Sequence, residues 1–295
     1  AIETADLRAL SVGALAGLSS ADVAALTSTQ VSSLTTAQIV ALTSDQFKGL
    51  TTDDMSALTA AQVAVISSAQ LGALTTTQVA AIDAADMKSL STDALAGLTN
   101  GDMAALTNEQ LQGMITVQYA ALSTAQFSSL TTAQLAALEV ADLKAVSTEA
   151  LHALVGSQIA AFTPTEIASL TTDQFASLSS AQITALSTAQ AAALTAAEIR
   201  AFTTDQIAGL ETADIAAMSA SQAAAFEAAD KAVMSTEQLA ALAATPIVLD
   251  LNGDGVHTTA AAQGVNFDLD GNGMVQKVGW VDTTDGLLAL DRNAD

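Results

Sequence analysis

The feature that most limits how this chain can fold is an eight-residue period that runs from Ile2 to Ala241 without an insertion or deletion. Thirty octads fill that span, so that octad 1 is residues 2–9 and octad 30 is residues 234–241, and a degenerate unit, LAATPIVL, follows at 242–249. LTTAQIVA (34–41), LTSDQFKG (42–49) and FTTDQIAG (202–209) are typical. Position 1 is a large apolar residue in all 30 octads and position 6 in 27, so these two positions are the candidate core. Position 5 is Gln, Asp or Glu in 27, position 2 is Ser or Thr in 23, and position 8 is Ala, Gly or Ser in 28. A frame held this long is the signature of a repeat architecture.

Ser/Thr at position 2 with Gln, Asp or Glu three residues later has the form of a capping box, in which side chain and backbone cap each other across a first helical turn. Positions 1 and 6 then become the pair that forms a hydrophobic staple. Each octad therefore carries a helix start signal. The prolines fit this reading: Pro164 falls at the first helical position, which proline favours, and Pro246 falls in the degenerate unit. A single long helix is excluded because eight residues advance an α-helix by about 800°, so the leucines would drift by about 80° per octad and form no stripe. Abundant Ala, Gln and capping residues argue against strands. The expectation is a mainly α fold: a compact α-solenoid over 2–241, built from short capped helices with a bend near positions 1 and 2. Position 8 would be kept small so that backbones can approach. Helices this short need their neighbours, since isolated helices are marginal below about 12 residues.

Composition narrows the function. Apolar residues make up 51% of the chain and aromatics 3%, so the core must be assembled from Ala, Leu, Ile, Val and Met. The absence of Cys removes disulfides, thiolate metal sites and a Cys nucleophile. A formal charge of −23 opposes nucleic acid and anionic membrane surfaces, and Ser, Thr, Gln or Asp interrupts every apolar stretch before a membrane-spanning length is reached. His152, at position 7, and His257 have no nucleophile partner nearby in sequence. Tyr119 occupies a position-6 core site, and Trp280 is expected to pack the tail. An enzyme is therefore not expected. Arg8, Lys48, Lys88, Lys144 and Arg200 all stand at position 7, which reads as a solvated face carrying a few cations or, alternatively, as a means of pairing solenoids.

Beyond the degenerate junction at 242–249 the composition changes to Asp and Gly. Asp250, Asn252 and Asp254, then Asp268, Asp270 and Asn272, present oxygens at alternate positions followed by a turn glycine. That pattern suits a hard cation such as Ca²⁺, with Val256 and Met274 at the seventh position of each loop. Neither loop has the Glu that completes an EF-hand at its twelfth position, so Asp282 and Asp285 are candidates to supply further ligands. Asp291, Asn293 and Asp295 begin a third motif, and the chain is expected to be part of a longer protein. The sites would be weak ones, suited to extracellular Ca²⁺.

This tail, PIVLDLNGDGV…FDLDGNG…GWV…DGLLALDRNAD, resembles a segment of large bacterial RTX-type exoproteins and adhesins, and is similar to the start of the self-processing module of iron-regulated RTX proteins. The octads are also of a kind seen in such exoproteins. The resemblance implies calcium-dependent folding of residues 250–295, type I secretion and a location outside the bacterial cell or on its surface. Self-cleavage in that family uses an Asp-Pro bond; this chain has Thr245-Pro246, so no cleavage is expected there. The combined expectation is a secreted structural protein, a stalk, fibre or surface-layer component, with itself or other cell-surface components as partners. A repeat surface that binds glycan or ice is the alternative.

Overall fold

The computed structural model describes residues 3–244, together with the backbone of four short strands at 247–249, 265–267, 276–278 and 286–288. Residues 3–244 form a helical solenoid. Each octad contributes one helix of four to six residues until the last, which has nine. In octad 5, for example, Thr35 is extended, its side chain accepts the Gln38 N–H, and Thr36–Ala41 is helical. Leu42 then leaves the helix in an extended conformation and starts the next unit. The bend falls at positions 1 and 2, where the capping signals place it. Pro164 is the first residue of the helix Pro164–Ile167.

Departures from the repeat have local causes. Asp83 caps Ala85 instead of the residue three along, and the helix that follows, Ala84–Ser89, is a tighter 3₁₀ turn. Glu3, Glu139 and Glu211 make no side-chain cap at all. At the other end Ala243 replaces the capping residue of the degenerate unit, so nothing interrupts the preceding helix, and Thr236–Ala244 runs through the expected boundary at 242.

The helices pack three octads apart throughout, as octad 1 does against octad 4 and octad 24 against octad 27. Positions 1 and 6 face inward, position 6 most deeply: Val31, Ile39, Phe47, Leu71 and Ile183 have no exposed surface. Aromatic side chains join turns within this core, with Phe175 edge-on to Phe202 and Phe202 stacked on Phe226. Near the end the core thins, because position 6 is Ala223 in octad 28 and Lys231, which is exposed, in octad 29. The position-7 cations Arg8, Lys48, Lys88, Lys144 and Arg200 are all exposed.

Small position-8 residues let the turns approach. A Cβ on Gly97 would collide with the carbonyl oxygen of Ser68, and one on Gly113 with that of Ala84, in each case 29 residues earlier. Where the residue is larger, the same station accommodates it: Ser177 Oγ lies 3.4 Å from the Thr148 carbonyl.

The four strands pair antiparallel in two separate ladders, 247–249 with 286–288 and 265–267 with 276–278.

Candidate functional site

The polar side chains that the fold buries belong to position 5. A short helix leaves its first N–H groups and last carbonyls without partners inside the helix, and position 5 serves both ends at once. In every octad with a glutamine from Gln38 to Gln238, the side-chain Oε1 accepts the backbone N–H of its own position-2 residue at 2.7–3.1 Å. Its Nε2 crosses to the previous superhelical turn and donates to the position-1 carbonyl 28 residues earlier, at 2.5–3.0 Å. The same nitrogen also donates to a carbonyl at the end of the preceding helix, as Gln62 does to Val31, 31 residues back, at 2.9 Å. A turn of the superhelix therefore takes between three and four octads. One amide caps the start of its own helix and the end of another.

Ile115 and Val155 test the division of labour. Neither has an oxygen with which to cap, yet each backbone N–H still reaches the glutamine three residues on, Gln118 at 2.7 Å and Gln158 at 3.0 Å. Both glutamines still bridge to the turn before. The bridge does not need the Ser/Thr cap.

A carboxylate can make only half of this arrangement. Asp54, Asp102, Glu166, Glu198 and Asp230 accept the N–H of their position-2 residues, as the glutamines do. An ionised carboxylate has no hydrogen to offer the turn before. Among the described residues two buried oxygens are left without any partner, Glu198 Oε1 and Asp214 Oδ2. Burial shifts these groups. Glu198 is held above the ordinary carboxylate range by loss of solvent, opposed by its bonds to Thr195. Asp214 is raised by burial and by neighbouring Glu211. Asp22, at the same octad position but exposed, is instead lowered by its hydrogen bonds to Ser19. Asp86 is raised mainly by burial and then by Asp83.

Octad 18 shows a compensation. Asp142 is buried and raised mainly by that burial. The carbonyl 31 residues before it belongs to Leu111, and there the phenol of Tyr119 donates in place of an amide, at 2.8 Å. Thr116 Oγ1 donates to Asp142 Oδ1 at 3.0 Å. Tyr119 is thus a core residue, as its octad position indicates, with its hydroxyl held well above its ordinary value by burial, Asp142 and Glu139. His152 is exposed, and its Nδ1 lies 2.6 Å from the Ser177 carbonyl, a surface contact between turns.

A shallow groove lined by Ala208, Leu210, Thr212, Val233, Ser235 and Gln238 opens between octads 26 and 30. Its one amide, on Gln238, is already bonded to the Ile207 and Leu210 carbonyls. Among the described residues no group of three or more His, Asp or Glu side chains is placed to hold a metal ion. No described helix is long and apolar enough to cross a membrane. The calcium candidates Asp250, Asn252, Asp254, Val256, Asp268, Asp270, Asn272, Met274, Asp282, Asp285, Asp291, Asn293 and Asp295, with His257 and Trp280, lie outside the described residues. So does the Thr245-Pro246 junction.

The bridging role of position 5 is not visible in the capping pattern, which Gln and Glu satisfy equally. The signal for it is composition. A helix N-terminus favours negative charge, yet position 5 holds Gln in 17 octads and Glu in two, Glu166 and Glu198. A strong preference for the amide over its charged isostere marks a need for a donor.

Comparison with curated proteins gives no match. Residues 247–295 are similar to the SPM domain. The ALTTAQ repeat matches in overlapping segments that together span residues 1–82 and 103–204, more than half of the chain. Those segments hold most of the amide bridges described above, and the chain belongs to the ALTTAQ-repeat family.

Proposed function

We propose that this chain is a secreted structural protein: a repeat solenoid that serves as a stalk, fibre or surface-layer component of a bacterial cell surface, followed by a calcium-dependent tail. The observation that carries the reading is the position-5 ladder. The buried glutamines of the solenoid are engaged in joining one turn to the next, which is the use expected of a scaffold rather than of a reaction centre. Bonds of this kind run from turn to turn, so they resist separation of the turns. With neighbouring helices about 8–10 Å apart, the thirty octads make a rod of roughly 80 Å. The tail's Asp/Asn/Gly motifs and its resemblance to RTX-type exoproteins support calcium binding, type I secretion and a location outside the cell. The replacement of Asp-Pro by Thr245-Pro246 speaks against self-processing at that junction.

Light scattering after size exclusion, over a concentration series of the 295-residue chain in millimolar Ca²⁺ and then in chelator, tests the assembling form of this proposal. Growth to large species with calcium is expected of a fibre or lattice component. Monomers under every condition would reduce the role to that of a spacer.

A second reading has one observation in its favour. Position-2 hydroxyls are engaged in capping, while position-3 hydroxyls such as Thr52, Thr76, Thr132 and Thr172 remain exposed in successive parts of the solenoid. Such a surface would suit glycan or ice. Absence of both thermal hysteresis and glycan-array binding would eliminate it.

A further inference from the structure

Glu198 occupies a station that glutamine fills elsewhere, and the two side chains have the same shape. Its Oε2 accepts the Thr195 N–H at 2.6 Å, as a glutamine Oε1 does. Its Oε1 therefore takes the place of the glutamine Nε2. That oxygen is buried and has no partner, and the residue as a whole is 2% exposed. The carbonyl 28 residues earlier, to which every bridging glutamine described above donates, belongs here to Leu170, and the one 31 residues earlier, to which most of them also donate, belongs to Ile167. A carboxylate oxygen facing carbonyl oxygens is repelled by them; a carboxylic acid has a hydrogen to donate.

We propose that Glu198 is held in the folded solenoid as the neutral acid, and that its Oε1 hydroxyl donates to the carbonyl of Ile167 or Leu170, making a proton-dependent version of the amide bridge. Deprotonation removes the bridge and leaves a buried charge against the previous turn, so this turn of the solenoid loosens as pH rises.

The surrounding charges do not supply another explanation. Octad 25 packs against octads 22 and 28. The first contributes only Asp173, which is exposed, and the second contains no ionisable side chain. Next to the facing carbonyls, Glu166 is occupied with capping Thr163. In octad 25 itself Arg200 is exposed, with its guanidinium 3.4 Å from the Ala196 carbonyl, and in octad 26 Asp205 is exposed. Among the described residues no cation is placed to hold Glu198 ionised. The upward shift of its acidity by burial agrees with the geometry.

The sign follows from linkage. A carboxyl raised on folding gives stability that is fully present below its unfolded value and lost as pH rises through the folded value. The test compares the full chain with Glu198→Gln by thermal unfolding from pH 4 to pH 8, alongside carbon-13 carboxyl titration of Glu198. Gln at this position is the common residue of the repeat, so the variant is expected to fold. The two proteins should melt together near pH 4, and the variant should melt a few degrees higher at pH 8. The Glu198 carboxyl should titrate above the normal glutamate range. A melting difference that does not change with pH, or a Glu198 resonance titrating at the ordinary value, would overturn the proposal.

Discussion

Octads 14–17 and octads 24–30 have the same frame, and in both the position-5 side chains are buried, but they differ in what those side chains can donate. In the first block Gln110, Gln118, Gln126 and Gln134 form an unbroken run of bridges. In the second, Glu198, Asp214 and Asp230 alternate with Gln190, Gln206, Gln222 and Gln238, so every other station lacks an amide donor. Both versions fold into the same solenoid. Helix capping and burial of positions 1 and 6 thus carry the path of the chain through single stations that lack an amide, and each amide adds a tie between a turn and the one before. The acid-bearing block also carries Ala223 and Lys231 at core positions, so weaker bridging coincides with weaker packing.

The largest effect is expected where that contrast is broken from the strong side. Gln134→Leu removes the bonds to the Met103 and Leu106 carbonyls and leaves the Thr131 N–H without its acceptor. A loss of about 2–4 kcal/mol in urea unfolding is expected from exposing buried polar groups to an apolar side chain. Next comes the approach of the backbones. Gly97→Ala forces a methyl group against the Ser68 carbonyl and should cost about 1–3 kcal/mol, measured in the same way.

From the weak side, Asp214→Gln places the consensus residue opposite the Ile183 and Leu186 carbonyls and should stabilise by about 1 kcal/mol at pH 7. Because burial and Glu211 raise the Asp214 carboxyl, its contribution in the wild type is present at low pH and lost as pH rises above the ordinary Asp range. The gain from this substitution should therefore shrink on acidification, as followed by melting temperature. The smallest effect sharpens the comparison at octad 18. Tyr119→Phe removes the donor to the Leu111 carbonyl and should cost about 1 kcal/mol. In an Asp142→Gln background, where an amide can serve that carbonyl, the cost should fall close to zero in a double-mutant cycle.

Much of the architecture is legible in single residues. Thr35 with Gln38 predicts a helix start where one is found, and Pro164 confirms the frame independently. Tyr119 at position 6 is correctly placed in the core. The run of Thr236–Ala244 past the end of octad 30 at Ala241 is explained by Ala243, which cannot cap. The bridge made by Gln62 to Val31 and Leu34 was not legible, because its partners are backbone carbonyls and carry no side-chain signature. The Tyr119–Leu111 bond is hidden for the same reason.

Capping and apolar alternation act between residues a few positions apart, so the eight-residue period, the start of each helix and the residues that turn inward are written in the chain itself. Tertiary structure decided how many octads make a turn, and therefore which carbonyls face each position 5. Identical octads differ in nothing local that could choose among neighbours 24, 28 or 31 residues away. That choice is made when helices too short to stand alone settle against one another and the amides find the carbonyls left open at the helix ends.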